Sequence, residues 1–329
     1  MKNIFFVLLL IPFFSLSNNC DSITLLSITN PGPFNVISFE ESSGIRNGSL
    51  YSGATIYCPS NGINLSSIVL VPGFMNSELT IQNWGPFLAS YGIVTMTIGT
   101  NSLTDDEYAR RDALEDAIIS LKQENSRSVS PLYNRLNLNS ISVGGFSKGG
   151  GGAQLLAKID SSLRSIISLY PFIENPTITD FNHSIPTLII SGQLDIIAPP
   201  TFHADVHYDF IPQTTNKLKF EVFLGSHDPV SGPNGAMGEV GVRVLSWLAN
   251  FMLNDICYCP LLLNIPSLSS QYLNNLNCNI SYNNQIYNYH KTNFNQVFDL
   301  FGRESKKETN KLFFIKNNNG IVTKKFIVE

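Results

Sequence analysis

The sequence predicts an α/β fold, a mostly parallel sheet flanked by helices. Three observations predict it: short unbroken apolar runs bounded by turn residues, amphipathic stretches alternating with those runs, and a glycine-rich turn where one such run meets a helix. Apolar runs without polar alternation belong to strands buried on both faces, and strand–helix alternation implies right-handed crossovers between parallel strands.

The elements follow in order. "FNVISFE" (Phe34 to Glu40) and "ATIYCP" (Ala54 to Pro59) are strand-like and separated by turn residues. "SSIVLVPG" (Ser66 to Gly73) is a buried strand, "NWGPFLASYG" (Asn83 to Gly92) a short helix closed by glycine, and "IVTMTIG" (Ile93 to Gly99) the next strand. Asp105 to Gln123 reads as a helix whose inner stripe is Leu114, Ala117, Ile118 and Leu121. "SISVGG" (Ser140 to Gly145) leads into a helix from Gly149 to Asp160, followed by strands at Ser165 to Pro171, Thr187 to Gly192 and Lys219 to Ser226. A helix is expected at Pro200 to Phe210, and a last one at about Met237 to Asn254 carries Val244, Leu245, Leu248, Phe251 and Met252 inward.

Composition sets the outer bounds. The chain has 329 residues, 43% hydrophobic and 14% charged, which suits a globular protein with a large core. A formal net charge of −4 gives no reason to expect nucleic acid or an anionic membrane as partner.

The chemistry centres on "VGGFSKGGGG", Val143 to Gly152, which places one serine among six glycines. Gly145-Phe146-Ser147-Lys148-Gly149 is a G-x-S-x-G at a strand-to-helix junction, where a strained turn exposes the serine hydroxyl at the sheet's C-terminal edge. Side chains at Gly145 or Gly149 are expected to collide with neighbouring backbone, and Gly150 to Gly152 to let the helix N-terminus pack close. A chance glycine-rich turn or a phosphate-binding loop is the competing reading, but no G-K-[ST] ending follows.

A serine hydroxyl needs a base to take its proton, and in this arrangement the chain order is nucleophile, acid, histidine. Of the five histidines, His227 follows "FEVFLGS" at the end of the last strand. His183 precedes a strand and His290 lies in the tail. His203 and His207, four apart, lack the glutamate of a zinc-protease helix and read as ordinary surface residues. Asp195 in "SGQLDIIAPP" sits just past a strand and is the candidate acid, because Asp228 cannot orient its own neighbour. Ser147, Asp195 and His227 form the candidate triad. Backbone N–H groups of Lys148 and of Phe74, in "VPGFM", are the candidate oxyanion donors. The Phe74 ring either flanks substrate or packs down.

At these residues the chain resembles the cutinase-like polyester hydrolases, the PET hydrolase group in the dienelactone-hydrolase branch of the α/β hydrolases. "VPGF", "WGPFLASYGIVTMTIGTNSLTD", "GGFSKGGGGAQLLA", "IPTLIISGQLDIIAP", "GSHDP" and "VLSWLANFMLND" carry the resemblance, in family order, over roughly Pro33 to Asp255. The resemblance implies an α/β-hydrolase fold and a secreted enzyme cleaving carboxylic esters without metal or cofactor. It puts nucleophile, acid and base at Ser147, Asp195 and His227, the oxyanion donors at Phe74 and Lys148, and an aromatic clamp at Phe172. Lys148 stands where the bacterial polyesterases usually carry methionine, so either a cation faces the acyl groove or its stem lies along the groove with the amine in water.

The ends of the chain carry an address and a puzzle. Lys2, the apolar run Ile4 to Phe14 and the small residues Ser15 to Ser17 read as a signal peptide over residues 1–17; an N-terminal anchor is the competing reading. Secretion is the expectation, with no stable membrane insertion once the signal is removed. N-glycosylation triplets stand at Asn47, Asn64, Asn182 and Asn279. Five cysteines fit an oxidising compartment, with Cys278 bridging to Cys257 or Cys259, and Cys20 with Cys58 a second, weaker pairing that leaves an odd thiol. The hydrolase domain is placed at residues 21–262. Residues 263–329, rich in Asn and Tyr and then in Lys, form an extension, either an appended segment or a small surface-docking module.

The activity expected is ester hydrolysis on short to medium acyl chains, polyester or cutin-like polymers included, because no insertion is long enough to build a lid. Two rivals stand beside it: a lipase or platelet-activating-factor-type phospholipid deacylase, and a catalytically inactive binding protein that keeps the fold.

Overall fold

A computed structural model describes residue 28, residues 32–40 and 48–278, and three further strands within 296–326. The signal segment, Asn47 and Asn279 lie outside the described residues. Strands run β1 (Val36–Glu40), β2 (Ala54–Pro59), β3 (Leu65–Val71), β4 (Val94–Ile98), β5 (Leu136–Phe146), β6 (Ile166–Leu169), β7 (Thr187–Gly192), β8 (Lys217–Val222) and β9 (Ser269–Asn274). They form one nine-stranded sheet in the order β1-β2-β4-β3-β5-β6-β7-β8-β9. From β4 to β8 every pairing is parallel, and β1, β2 and β9 pair antiparallel at the two edges.

Helices α1 (Trp84–Ala89), α2 (Glu107–Glu124), α3 (Lys148–Ile159), α4 (Ala204–Phe210), α5 (Glu239–Phe251) and α6 (Cys259–Leu263) cover the sheet. One core layer joins Ala113, Leu114, Ala117 and Leu121 of α2 and Leu156 of α3 to Val69, Met96 and Val143. The other joins Trp84 and Leu88 of α1 and Val244, Leu245 and Leu248 of α5 to Leu70, Ile167 and Ile190. Because both faces are covered, β4, β6 and β7 are buried along their whole length, which is why their sequences carry no alternation. Asp106 caps α2, its side chain accepting the Ala109 N–H at 2.8 Å.

Several boundaries shift from the expected ones. The helix expected from Pro200 breaks at His203 (φ −127°, ψ −81°), leaving a 3₁₀ turn at Pro200–Phe202 ahead of α4. The last helix starts at Glu239, because Gly238 is left-handed (φ 90°) and Ala236 and Met237 also take positive φ. β8 begins at Lys217, and both its lysines are fully buried. Lys217 Nζ donates to Tyr208 O and Ile211 O at 2.6 Å, closing the C-terminal end of α4, while Lys219 pairs with Asp205 and Gln271.

The expected boundary at residue 262 falls inside the fold. β9, beyond it, pairs with β8, and Asn275 Oδ1 accepts the Lys217 N–H at 2.8 Å. Its irregular composition hides an edge strand, half-exposed and without the apolar run that marks the inner strands. Cys259 is bonded to Cys278 across this segment, and Cys257 is itself disulfide-bonded. Cys58 is a free, buried thiol inside β2, so the weaker pairing with Cys20 is ruled out. The chain divides after Asn279. The second unit contains an antiparallel sheet of β10 (Gln296–Phe298), β11 (Leu312–Lys316) and β12 (Val322–Phe326) in that order.

Candidate active site

Ser147 sits between β5 and α3 with φ 55° and ψ −122°, a conformation that costs an L-residue of the order of 1–3 kcal/mol. Hydrogen bonds hold it there: its N–H donates to Leu169 O at 2.8 Å, and its carbonyl accepts from Gly151 and Phe172, each at 3.0 Å. The flanking glycines are required by close approach. A Cβ on Gly145 would lie 2.4 Å from the Gly149 carbonyl carbon, and one on Gly149 would lie 2.4 Å from Val71 O. Both distances are impossible for real atoms, so strand, elbow and helix pack only with hydrogen at these positions.

The candidate acid and base, Asp195 and His227, are brought together by neighbouring parallel strands. β7 and β8 end side by side, and the loops beyond them are stitched by Gln193 N–H to Val222 O (3.0 Å) and Leu194 N–H to Gly225 O (2.7 Å). Asp195, its side chain wholly buried, follows β7; His227, its side chain 12% exposed, follows β8. Asp195 Oδ1 accepts the N–H groups of Ile197 (2.9 Å) and Ala198 (2.7 Å), and Oδ2 lies 2.6 Å from His227 Nδ1. With one oxygen fixed by backbone, the other is aimed at the imidazole.

The imidazole also rests on Phe146, the residue before Ser147, with ring centroids 4.7 Å apart, and meets the Tyr170 ring edge-on at 6.0 Å. The Ser147 hydroxyl and the imidazole therefore share one corner of the sheet. Among the described residues no hydrogen bond joins them, and nucleophile–base contacts are often loose before substrate binds. Asp228 is occupied with its own turn: its carboxylate accepts from Val230 N–H and from Ser231. Burial works to raise this carboxyl, but those hydrogen bonds outweigh it and hold it below the ordinary carboxylate range.

Lys148 is the first residue of α3, so its N–H has no intrahelical partner. Phe74 lies in the loop after β3, where the Met75 and Asn76 N–H groups donate to Leu103 O and Gly73 O while the Phe74 N–H makes no such bond. This loop abuts Ser147, since a Cβ on Gly73 would stand 2.8 Å from Ser147 Cβ. Among the described residues the N–H groups of Phe74 and Lys148 thus stand next to Ser147 without a hydrogen-bond partner.

The Lys148 ammonium is 3.3 Å from Glu107 Oε2, 5.4 Å from the Phe74 ring centroid and 5.5 Å from that of Phe172. The ammonium itself faces two aromatic rings, and its charge is matched by a carboxylate that is only 2% exposed. Glu107 Oε1 also accepts the Glu174 N–H at 2.7 Å, which ties the loop carrying Phe172 to α2. Phe74 is 46% exposed, its ring open to solvent, and Phe172 is half-buried.

His203 and His207 are buried, contrary to their reading as surface residues. The break at His203 turns its ring onto Phe172, with centroids 4.3 Å apart and planes 30° apart. His207 packs against Phe181 and lies 3.2 Å from Gln154 Nε2, and burial pulls its imidazole down to about 3. His183 is likewise buried and pulled down to about 4 by burial. Asn64 and Asn182 are both exposed, Asn64 with φ 56°.

Sequence reasoning missed Glu107 and Arg110. The inner stripe of α2 continues backward through both, by steps of three and four, so charge on an otherwise apolar stripe was the available signal. Arg110 is fully buried and donates to four backbone carbonyls around the Phe74 loop.

Comparison with known proteins adds independent findings. Residues 22–279 match the profile of a family described as PETase, PET hydrolase-like. A cutinase of Thermobifida alba is 32% identical over 233 residues, 70% of this chain and 75% of its own length. A cutinase of Thermobifida fusca is 32% identical over 70% of this chain and 74% of its own. A bis(hydroxyethyl) terephthalate hydrolase of Streptomyces coelicolor is 31% identical over 236 residues, 70% of this chain and 72% of its own.

Proposed function

The chain belongs to the PET hydrolase-like family of α/β-hydrolase ester hydrolases, and from that premise we propose that it is a secreted serine carboxylesterase using Ser147, His227 and Asp195. The single observation that carries the reading is the 2.6 Å contact between Asp195 Oδ2 and His227 Nδ1, made at the corner where the strained Ser147 elbow also lies. Asp195 accepts a hydrogen bond from the Nδ1–H, which leaves Nε2 with a lone pair for the serine hydroxyl. The proton moves from Ser147 to His227 as the hydroxyl oxygen attacks the ester carbonyl. The N–H groups of Phe74 and Lys148 bind the oxyanion. His227 then gives that proton to the departing alcohol, and water releases the acid from the acyl-enzyme by the same route.

The substrates proposed are short to medium acyl esters, with aromatic polyesters and cutin-like polymers among them. Phe74 and Phe172 supply two aromatic walls beside the nucleophile, and the acid loop adds exposed Leu194, Ile196 and Ile197. Such a rim suits apolar acyl groups better than charged ones. The N-terminal apolar run and the disulfides support secretion. No helix among the described residues is long and apolar enough to cross a membrane.

Turnover of p-nitrophenyl esters of graded acyl length, and of a polyester film, by the wild type and Ser147→Ala tests the reading. Wild-type turnover that falls by at least about a thousandfold in the variant is expected. Equal rates in the two proteins would refute it.

A further inference from the structure

Arg110 is a fully buried guanidinium that the acyl-enzyme steps do not use. Its Nε donates to Pro72 O at 2.9 Å. Its Nη2 donates to Gly73 O at 2.8 Å and to Leu103 O at 3.3 Å, and its Nη1 to Asp106 O at 3.4 Å. Four bonds to main-chain carbonyls, rather than to a carboxylate, are an unusual use of a charge that burial works against and that Asp105, Asp106 and Glu107 support.

The carbonyl of Gly73 and the N–H of Phe74 belong to one peptide unit. All peptides described are trans, so the N–H of that unit points opposite to the carbonyl that the guanidinium holds. Fixing the carbonyl therefore fixes the direction of the donor. A cation on the carbonyl oxygen also draws electron density through the amide, leaving the N–H more positive and a stronger donor to a developing oxyanion. The turn needs such a hold, because Met75 has φ 58°, and its N–H donates to the same Leu103 carbonyl that Arg110 Nη2 reaches.

We propose that Arg110 is a positioning residue for the reaction: from the buried side it orients and polarises the Gly73–Phe74 peptide, so that the Phe74 N–H serves as the front donor of the oxyanion hole. The inference rests on the serine-hydrolase reading above. It assigns to the first turns of α2 a second task beside the Glu107–Lys148 pair.

Arg110→Met and Arg110→Lys test it. Each protein is assayed on p-nitrophenyl butyrate with active sites counted by fluorophosphonate labelling, and the affinity of an alkyl boronic acid, which forms an anionic tetrahedral adduct, is measured alongside. In the Met variant kcat per labelled site is expected to fall by roughly ten- to a hundredfold, with boronate affinity falling in parallel and KM staying within about twofold. The Lys variant keeps a cation with fewer donors and is expected to recover part of that loss. If the Met variant does not fold, the Lys variant decides, with an expected loss of about fivefold per labelled site. A purely structural role would lower the number of labelled sites while leaving kcat per site and boronate affinity at wild-type values, and that result would overturn the proposal. Wild type that neither labels nor turns over would instead overturn the serine-hydrolase reading, and this inference with it.

Discussion

Asp195 places one carboxylate oxygen on two backbone N–H groups and the other 2.6 Å from His227 Nδ1, so the two residues form a rigid pair although 32 positions separate them. The backbone bonds decide which oxygen faces the ring, and because a carboxylate oxygen can only accept, the ring proton sits on Nδ1.

Asp195→Asn is predicted to invert that tautomer. The amide oxygen would keep the Ile197 and Ala198 N–H groups, which turns the NH₂ group toward His227 Nδ1 and puts the ring proton on Nε2. On the proposed mechanism the general base is then blocked. Steady-state assays are expected to show kcat lower by roughly a thousand- to ten-thousandfold, with KM changed little. A loss below tenfold would place the acid elsewhere.

The Lys148–Glu107 pair is predicted to be coupled in stability. Lys148→Met leaves a carboxylate that is 2% exposed facing the place of its cation, a cost on the order of 1–2 kcal/mol. The contact at 3.3 Å is an ion pair without hydrogen-bond alignment, which keeps the estimate below that of a fully satisfied buried pair. Urea unfolding of Lys148→Met, Glu107→Gln and the double variant closes the cycle. The double variant is expected to lose about 1 kcal/mol less than the sum of the single losses; strict additivity would show that the pair is not coupled.

Stability is predicted to fall as pH drops below about 6.5. His183 and His207 stay neutral in the folded protein down to about 4 and about 3, whereas in the unfolded chain both take up protons near 6.5. The unfolded state then binds more protons, so acid favours it, and above pH 7 neither imidazole contributes. Unfolding free energy is expected to drop by about 2 kcal/mol between pH 7 and 5.5, a window above the carboxylate titrations. His207→Phe should remove about half of that slope. An unchanged slope would mean that His207 is not kept neutral by burial.

The inner strands were legible because burial on both faces writes itself as unbroken apolar runs, and the elbow because its glycines are demanded by backbone contact within a few residues of Ser147. β9 was not, since an edge strand with one half-exposed face leaves no such signature. His203 and His207 misled for a related reason. Helical spacing said nothing of the break that turns one ring onto Phe172 and the other against Phe181.

By itself the sequence determined the strand–helix alternation, the elbow that strains Ser147, and the order serine, aspartate, histidine. These depend on local periodicity, on steric contact between near neighbours and on chain order. Tertiary structure alone decided which charges are buried and what they hold: Arg110 on the carbonyls of the Phe74 loop, Glu107 on Lys148, and Asp195 on His227. A buried charge is tolerated only where distant groups converge to satisfy it, and that convergence is a property of three-dimensional packing that no stretch of sequence contains.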